Sequence, residues 1–217
     1  MARFFDPQSA GNPGEDARLH APATERNKDA ILKVLKAHLP RQGTLLEVAS
    51  GTGEHAAYMA PALAPLYWQP TDIEPAHLRS IDAWRFHVDA ENMMPAKAFN
   101  VLEDDWAFDD LPEQVTAVAA INLIHIAPWA VAEALLKRAG DALNRGNVLY
   151  LYGPYKRHGE HTAPSNAEFD ASLKRRNPAW GVRDMEVVIS YAEAAGFGIE
   201  EIVPMPANNF SLIFTKG

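Results

Sequence analysis

A glycine turn set between an apolar run and a helical segment constrains this chain more than any other feature. Thr44-Leu45-Leu46-Glu47-Val48-Ala49 reads as a buried strand, Ser50-Gly51-Thr52-Gly53 as a tight turn, and Glu54 to Leu63 as a helix. Gly51-Thr52-Gly53-Glu54-His55-Ala56 satisfies the pattern G-x-G-x-x-G/A, and Asp72 stands nineteen residues after Gly53, at the end of the next apolar run. That order brings backbone N–H groups and a carboxylate to a ribose-containing cofactor. The bland alternative is a βα turn whose glycines only relieve strain, with Asp72 a solvated loop residue.

The remaining pattern extends the same architecture. Ile31, Val34, Leu35 and Leu39 follow helical spacing before Pro40 to Gly43. After the turn come strands at Leu66 to Thr71, Ala98 to Leu102, Val115 to Asn122 and Asn147 to Tyr152, with helices at Pro75 to Phe86 and Pro128 to Leu143. Such alternation predicts parallel βαβ units. It stops after Tyr152, where a polar stretch from Gly153 to Asp184 carries a short helix near Asn166 to Arg175. A helix at Met185 to Ala195 and a hairpin of Phe197 to Val203 and Phe210 to Thr215, turning at Pro204 to Asn209, follow. We expect a single domain: N-terminal arm and helix over 1–43, cofactor-binding core over 44–152, lid-like insertion over 153–184, helix and terminal hairpin over 185–217.

Composition removes several classes. The 217 residues include no cysteine, which excludes disulfides and thiol nucleophiles and is compatible with a reducing, cytoplasmic setting. A net charge of −8 argues against a nucleic-acid partner, which needs a basic surface. The N-terminus has no apolar signal region, and the longest apolar stretch, Val115 to Ala127, is interrupted by Asn122 and His125, so no membrane span is expected.

Charge also separates the candidate cofactors. A dinucleotide places an anionic pyrophosphate at the helix N-terminus, where Glu47 opposes it. S-adenosylmethionine carries a sulfonium and an ammonium, which nearby carboxylates favour.

Glu47-Val48-Ala49-Ser50-Gly51-Thr52-Gly53 resembles the acidic glycine-rich first motif of class I S-adenosylmethionine-dependent methyltransferases, with Ala49 where many members have glycine. More closely, Ala23 to Lys28, Glu47 to His55, Asn122 to Trp129, Tyr150 to Tyr155 and Met205 to Asn209 look like the methyltransferase-like family known as domain of unknown function 938, nearly end to end. The resemblance implies an α/β, Rossmann-like class I methyltransferase fold: a mostly parallel seven-stranded sheet, an antiparallel C-terminal hairpin, and helices on both faces. It puts the methionine end of S-adenosyl-L-methionine near Glu47, Ser50, Gly51, Thr52 and Gly53, the ribose hydroxyls on Asp72, and Ile73 beside the adenine. Asn100 and Val101 match the adenine-edge position, although an acid is commoner there than Asn100. Asn122 and Leu123 stand where the activated methyl should point.

On the acceptor side, His125 is either a general base or a helix-entry residue bonded to backbone. The Asn-Pro-Pro-Tyr motif of many amide and nucleobase N-methyltransferases is absent. Tyr152, Tyr155, Arg157 and His161 are candidates for the acceptor pocket, with Tyr155 a candidate catalytic group. Arg26 and Asn27 sit in an arm that either caps the first helix or folds across the cofactor mouth. Trp180 either closes the pocket or packs the loop. His158-x-x-His161 lacks a fixed third ligand, so no metal is expected. Three readings stand: a methyltransferase acting on a small molecule, a cofactor-binding protein without transferase activity, and a nicotinamide-dependent oxidoreductase.

Overall fold

A computed structural model describes residues 17–217; the part of the arm expected before Arg18 lies outside the described residues. The chain forms two compact units, one of the residues up to Asn100 with Phe108–Val115, the other of Val101–Ala107 with Thr116–Gly217.

In the first unit α1 (Pro22–His38) starts on a proline, whose missing N–H costs nothing in a first helical turn, and buries Ile31, Val34 and Leu35. Strand β1 (Thr44–Glu47) is buried along its whole length, as expected of a strand covered on both faces. The turn leads into α2 (Glu54–Met59), then a 3₁₀ turn at Pro61–Leu63, strand β2 (Tyr67–Asp72), helix α3 (Pro75–Val88) and strand β3 (Lys97–Ala98). Both β1–β2 and β2–β3 are parallel, and the register sets Glu47 opposite Pro70 and Asp72 opposite Ala98. Leu45, Leu46, Met59, Trp68, Ile81 and Met93 form the buried interior of this unit.

The second unit carries β4 (Val115–Ile121, from Thr116), α4 (Trp129–Ala142) and β5 (Val148–Gly153). Next come β6 (Tyr155–Arg157), β7 (Glu160–His161), α5 (Pro164–Arg176) and β8 (Arg183–Asp184), then α6 (Met185–Ala194), β9 (Phe197–Met205), a 3₁₀ turn at Pro206–Asn208, and β10 (Asn209–Lys216). Strands β4 and β5 are parallel, while β10 is antiparallel to both β5 and β9. Val118, Leu136, Leu149, Tyr150, Val188, Ile213 and Phe214 are fully buried there, and the Tyr150 hydroxyl is paired with Ser211 Oγ at 2.8 Å. Among the described residues the main sheet has seven strands in the order β3-β2-β1-β4-β5-β10-β9, and β7-β6-β8 make a separate small sheet. No helix of the described residues is long and apolar enough to cross a membrane.

Three expectations from the sequence need correction. The strand expected over Ala98 to Leu102 shrinks to Lys97–Ala98, because β2 ends at Asp72 and offers no ladder partner further on; Phe99 and Val101 are buried in the turn instead. The helix expected to Leu63 stops at Met59, since Pro61 lacks the N–H needed to continue it, and resumes as 3₁₀. The stretch Gly153 to Asp184 is more regular than its polar composition suggests: it holds the small sheet and a 13-residue helix, with Tyr155, Leu173 and Val182 buried.

Candidate cofactor cradle and imidazole site

The glycine turn depends on left-handed backbone. Gly51 and Gly53 take φ of 59° and 85°, and a Cβ on Gly53 would stand 2.8 Å from Ile81 Cα, so this position also lets α3 approach the turn. Ala49 takes φ of 59° as well. Glycine takes this conformation freely, whereas an alanine Cβ crowds the following carbonyl at a cost of roughly 1 kcal/mol. Ala49→Gly should therefore stabilise the protein by about 0.5–1 kcal/mol, part of the gain being offset by glycine's freedom in the unfolded chain. Thermal unfolding of the two proteins reads this directly, and a lower midpoint for the glycine variant would show that the turn is unstrained.

Carboxylates line this turn. Glu47 ends β1 only 1% exposed, and its Oε2 accepts a hydrogen bond from Trp68 Nε1 at 3.0 Å. Burial pushes its pKa up to about 7, with the charge of Asp72 acting in the same direction. Ser50 Oγ accepts from Thr71 N–H at 3.1 Å and bridges to the Glu47 carbonyl at 3.4 Å, tying the turn to β2. Asp72 accepts Gly51 N–H on Oδ2 at 2.9 Å, and Glu74 N–H and His77 Nδ1 on Oδ1 at 2.9 and 3.1 Å. Ile73 is 62% exposed beside it, an apolar side chain without cover from the described residues. Asn100 is partly exposed, and Val101, in the other unit, is buried.

The segment before α1 is fastened to the same turn. Glu54 accepts from Ala21 N–H, from His20 Nδ1 at 3.0 Å and from Thr52 Oγ1 at 3.1 Å. Ser80 Oγ accepts Leu19 N–H at 2.8 Å and donates to the Thr52 carbonyl at 2.7 Å, while Trp84 Nε1 donates to the Leu19 carbonyl at 3.0 Å. Within α1, Asn27 is buried with its Oδ1 taking a hydrogen bond from His55 Nε2 at 2.8 Å; burial lowers the His55 pKa to about 4 and keeps the ring neutral. Asn27 thus braces α1 against α2, whereas Arg26 is exposed.

In the second unit Asn122 follows β4 at φ 60°, a conformation asparagine tolerates, with its N–H on the Tyr152 carbonyl at 2.8 Å. Asn122 and Leu123 are partly exposed. His125 is 1% exposed, and its Nδ1 has no hydrogen-bond partner among the described residues. Burial, aided by the Arg183 charge, lowers its pKa to about 3, so the ring is a neutral base. A Cβ on Gly153 would stand 2.9 Å from that Nδ1 and 2.6 Å from Cε1, which restricts this position to glycine. The loop around His125 is gripped by Arg183, whose Nε donates to the Ile124 carbonyl at 2.9 Å and whose Nη2 donates to those of Ala127 and Ala179 at 2.7 and 2.9 Å.

The candidate acceptor-side residues divide by exposure. Tyr155 is fully buried, its hydroxyl has no partner among the described residues, and burial pushes its pKa far above the ordinary value, so the group keeps its proton and can offer only a hydrogen bond. Tyr152 is 2% exposed. Arg157 is exposed and pairs with Glu186 at 2.8 Å. His161 Nε2 lies 3.3 Å from Asp170, which also takes Lys174 at 2.7 Å and Val182 N–H at 2.8 Å. Trp180 is partly exposed, with the Arg176 guanidinium 5.3 Å from its ring centre. His158 Nε2 lies 3.6 Å from Glu186, so His158 and His161 face different carboxylates.

Sequence reasoning missed Glu54, His77 and Arg183. His77 was legible in principle: Pro75 marks the first helical position of α3, which makes His77 the third, and a side chain there reaches back toward the residues before the cap. Glu54 and Arg183 bond to main-chain atoms distant in sequence, for which no local signal exists.

Architecture and turn together give a Rossmann-like class I methyltransferase fold. The chain resembles S-adenosylmethionine-dependent methyltransferase SibL in its apo form (TM-score 0.73, 17% identity, 89% of this chain and 55% of that one). It also resembles human N-acetylserotonin methyltransferase in complex with SAM (TM-score 0.71, 14% identity, 90% and 53%). A third match is an O-methyltransferase family 2 protein from Planctomyces limnophilus in complex with apigenin (TM-score 0.70, 14% identity, 88% and 62%). The chain spans little more than half the length of these proteins. A family model described as protein of unknown function (DUF938) matches residues 18–216, and the chain belongs to that family.

Proposed function

We propose that this protein is an S-adenosylmethionine-dependent methyltransferase acting on a small molecule. The observation that carries this reading is the pair of buried carboxylates, Glu47 and Asp72, at the ends of adjacent parallel strands around a left-handed glycine turn. A pyrophosphate would face Glu47, Glu54 and Asp72; a cationic amino-acid end and a ribose suit the same acids.

The residues present fit the cofactor. Glu47 with Ser50, Gly51, Thr52 and Gly53 would hold the methionine end, Asp72 the ribose, and exposed Ile73 the adenine face, with Asn100 and Val101 assigned to the adenine edge and Asn122 and Leu123 to the methyl side. Bound S-adenosylmethionine supplies an electrophilic methyl group on a positively charged sulfur. The protein's own part is orientation and proton handling. His125, neutral and with an unused ring nitrogen, is assigned to accept a hydrogen bond from the O–H or N–H of the acceptor and so orient it. Tyr155 keeps its proton and offers a hydrogen bond. Arg26, Arg157, His161 and Trp180 keep exposed surface and are assigned to the acceptor.

Calorimetric titration should show S-adenosylhomocysteine binding and NAD and NADP failing to bind; the reverse result would establish a nicotinamide site. Methyl-labelled cofactor incubated with a metabolite extract should then transfer label. Binding without transfer to any extract would favour a cofactor-binding protein lacking transferase activity.

A further inference from the structure

The Asp72 carboxylate already has three hydrogen-bond donors. A carboxylate offers about four acceptor positions. Gly51 N–H takes one on Oδ2, and Glu74 N–H and His77 Nδ1 take both on Oδ1. A vicinal diol brings two O–H donors, one more than the remaining position can receive. Gly51 and Glu74 donate from the main chain of the turn and of the approach to α3, which cannot move without dismantling them. His77 is different: it donates through a side chain, 19% exposed, that can turn away about its own χ angles without moving the main chain.

We propose that His77 is a specificity-determining residue, a built-in competitor that occupies the second diol position of Asp72 and leaves only for a ligand carrying both ribose hydroxyls. This rests on the nucleoside-cofactor reading of the turn given above. A ligand with one hydroxyl, or none, uses the free position of Oδ2 at most and leaves His77 in place. A ligand with both gains a second hydrogen bond by exchanging it for that of His77.

The strength of the competitor depends on its charge. The charged groups facing the ring are Asp72, at the end of β2, and Glu74, in the approach to α3; Glu47 on β1 interacts with Asp72 and also changes its charge near neutrality. The hydrogen bond to Asp72 raises the His77 pKa above its ordinary value, with burial opposing and the two acidic charges adding. Below that pKa the pair is an imidazolium on a carboxylate; above it, a neutral hydrogen bond that a hydroxyl replaces easily. The difference corresponds to about tenfold in affinity for the diol.

The test compares adenosine, which carries the diol and no charge for Glu47 to read, with 2′,3′-dideoxyadenosine, across pH 5.5 to 8. For the unmodified protein, adenosine should tighten about tenfold over this range while the dideoxy compound stays level. His77→Leu should bind adenosine at pH 5.5 as tightly as the unmodified protein does at pH 8. His77→Gln, which keeps a donor without a charge, should give a flat profile. An adenosine slope that survives in both variants, or weaker adenosine binding by His77→Leu at pH 8, overturns the role of His77 and leaves the cofactor reading standing. If neither adenosine nor S-adenosylhomocysteine binds the unmodified protein at any pH, the cofactor reading fails and the His77 role with it.

Discussion

Replacing Glu47 by glutamine should make the free protein more stable and its complex weaker. The carboxyl is buried, and its pKa is raised to about 7 from 4.5. Because the folded-state value is the higher one, its contribution is fully present below the unfolded pKa and is lost as pH rises from about 4.5 through about 7. At pH 8 the ionised carboxylate therefore costs about 3 kcal/mol relative to the protonated form. Glutamine still accepts the Trp68 indole N–H and carries no charge, so Glu47→Gln should gain about 2 kcal/mol at pH 8, with the gain shrinking toward pH 5. It should also lose at least about tenfold in S-adenosylhomocysteine affinity at pH 8, because the ammonium of the ligand loses its counter-charge. Thermal unfolding and calorimetry on one preparation read both signs. A variant less stable at pH 8 would mean the buried charge is well compensated, and undiminished affinity would remove Glu47 from the cofactor site.

Asp72→Ala should have the opposite pattern, a loss in both measurements. The carboxylate receives two main-chain N–H groups and one imidazole, so truncation removes one of the turn's ties to β2 and leaves Gly51 and Glu74 N–H without their acceptor. Each loss costs about 1–3 kcal/mol if water does not replace it. A charged acceptor for ribose hydroxyls contributes about 1.5–3 kcal/mol, so nucleoside affinity should fall roughly tenfold to a hundredfold, measured well below the lowered melting point. A folded variant with undiminished affinity would confine Asp72 to a structural role.

The sequence exposed most where one local signal sufficed. Alternation of apolar runs with helical spacing located β1, β2, β4 and β5 within a residue or two, because strands buried on both faces have few polar positions to confuse the pattern. Pro22, Pro75 and Pro164 open helices where proline is tolerated. By contrast, β6, β7 and β8 have two or three residues each, too few for a period to be read. The turn residues around Gly51 were legible as a motif, yet the condition of its acids was not. That Glu47 holds a proton near neutrality depends on Trp68 and on complete burial, and that Asp72 is nearly saturated with donors depends on His77; both are properties of packing. The same holds for His125, whose ring nitrogen lacks a partner because Gly153 and Arg183 shape the loop around it.

The central position of β10 bears on how the second unit is made. Residues 210–215 pair with residues 148–153 on one side and with β9 on the other, so the strand synthesised last among them is the one that joins the other two. Until it is in place, β5 and β9 each present an open row of N–H and C=O groups, the edges through which nascent chains stick to one another. No shorter nascent chain can finish this half of the sheet. Its assembly waits on a contact between segments distant along the chain, the slow kind of closure, and must proceed after these residues leave the ribosome.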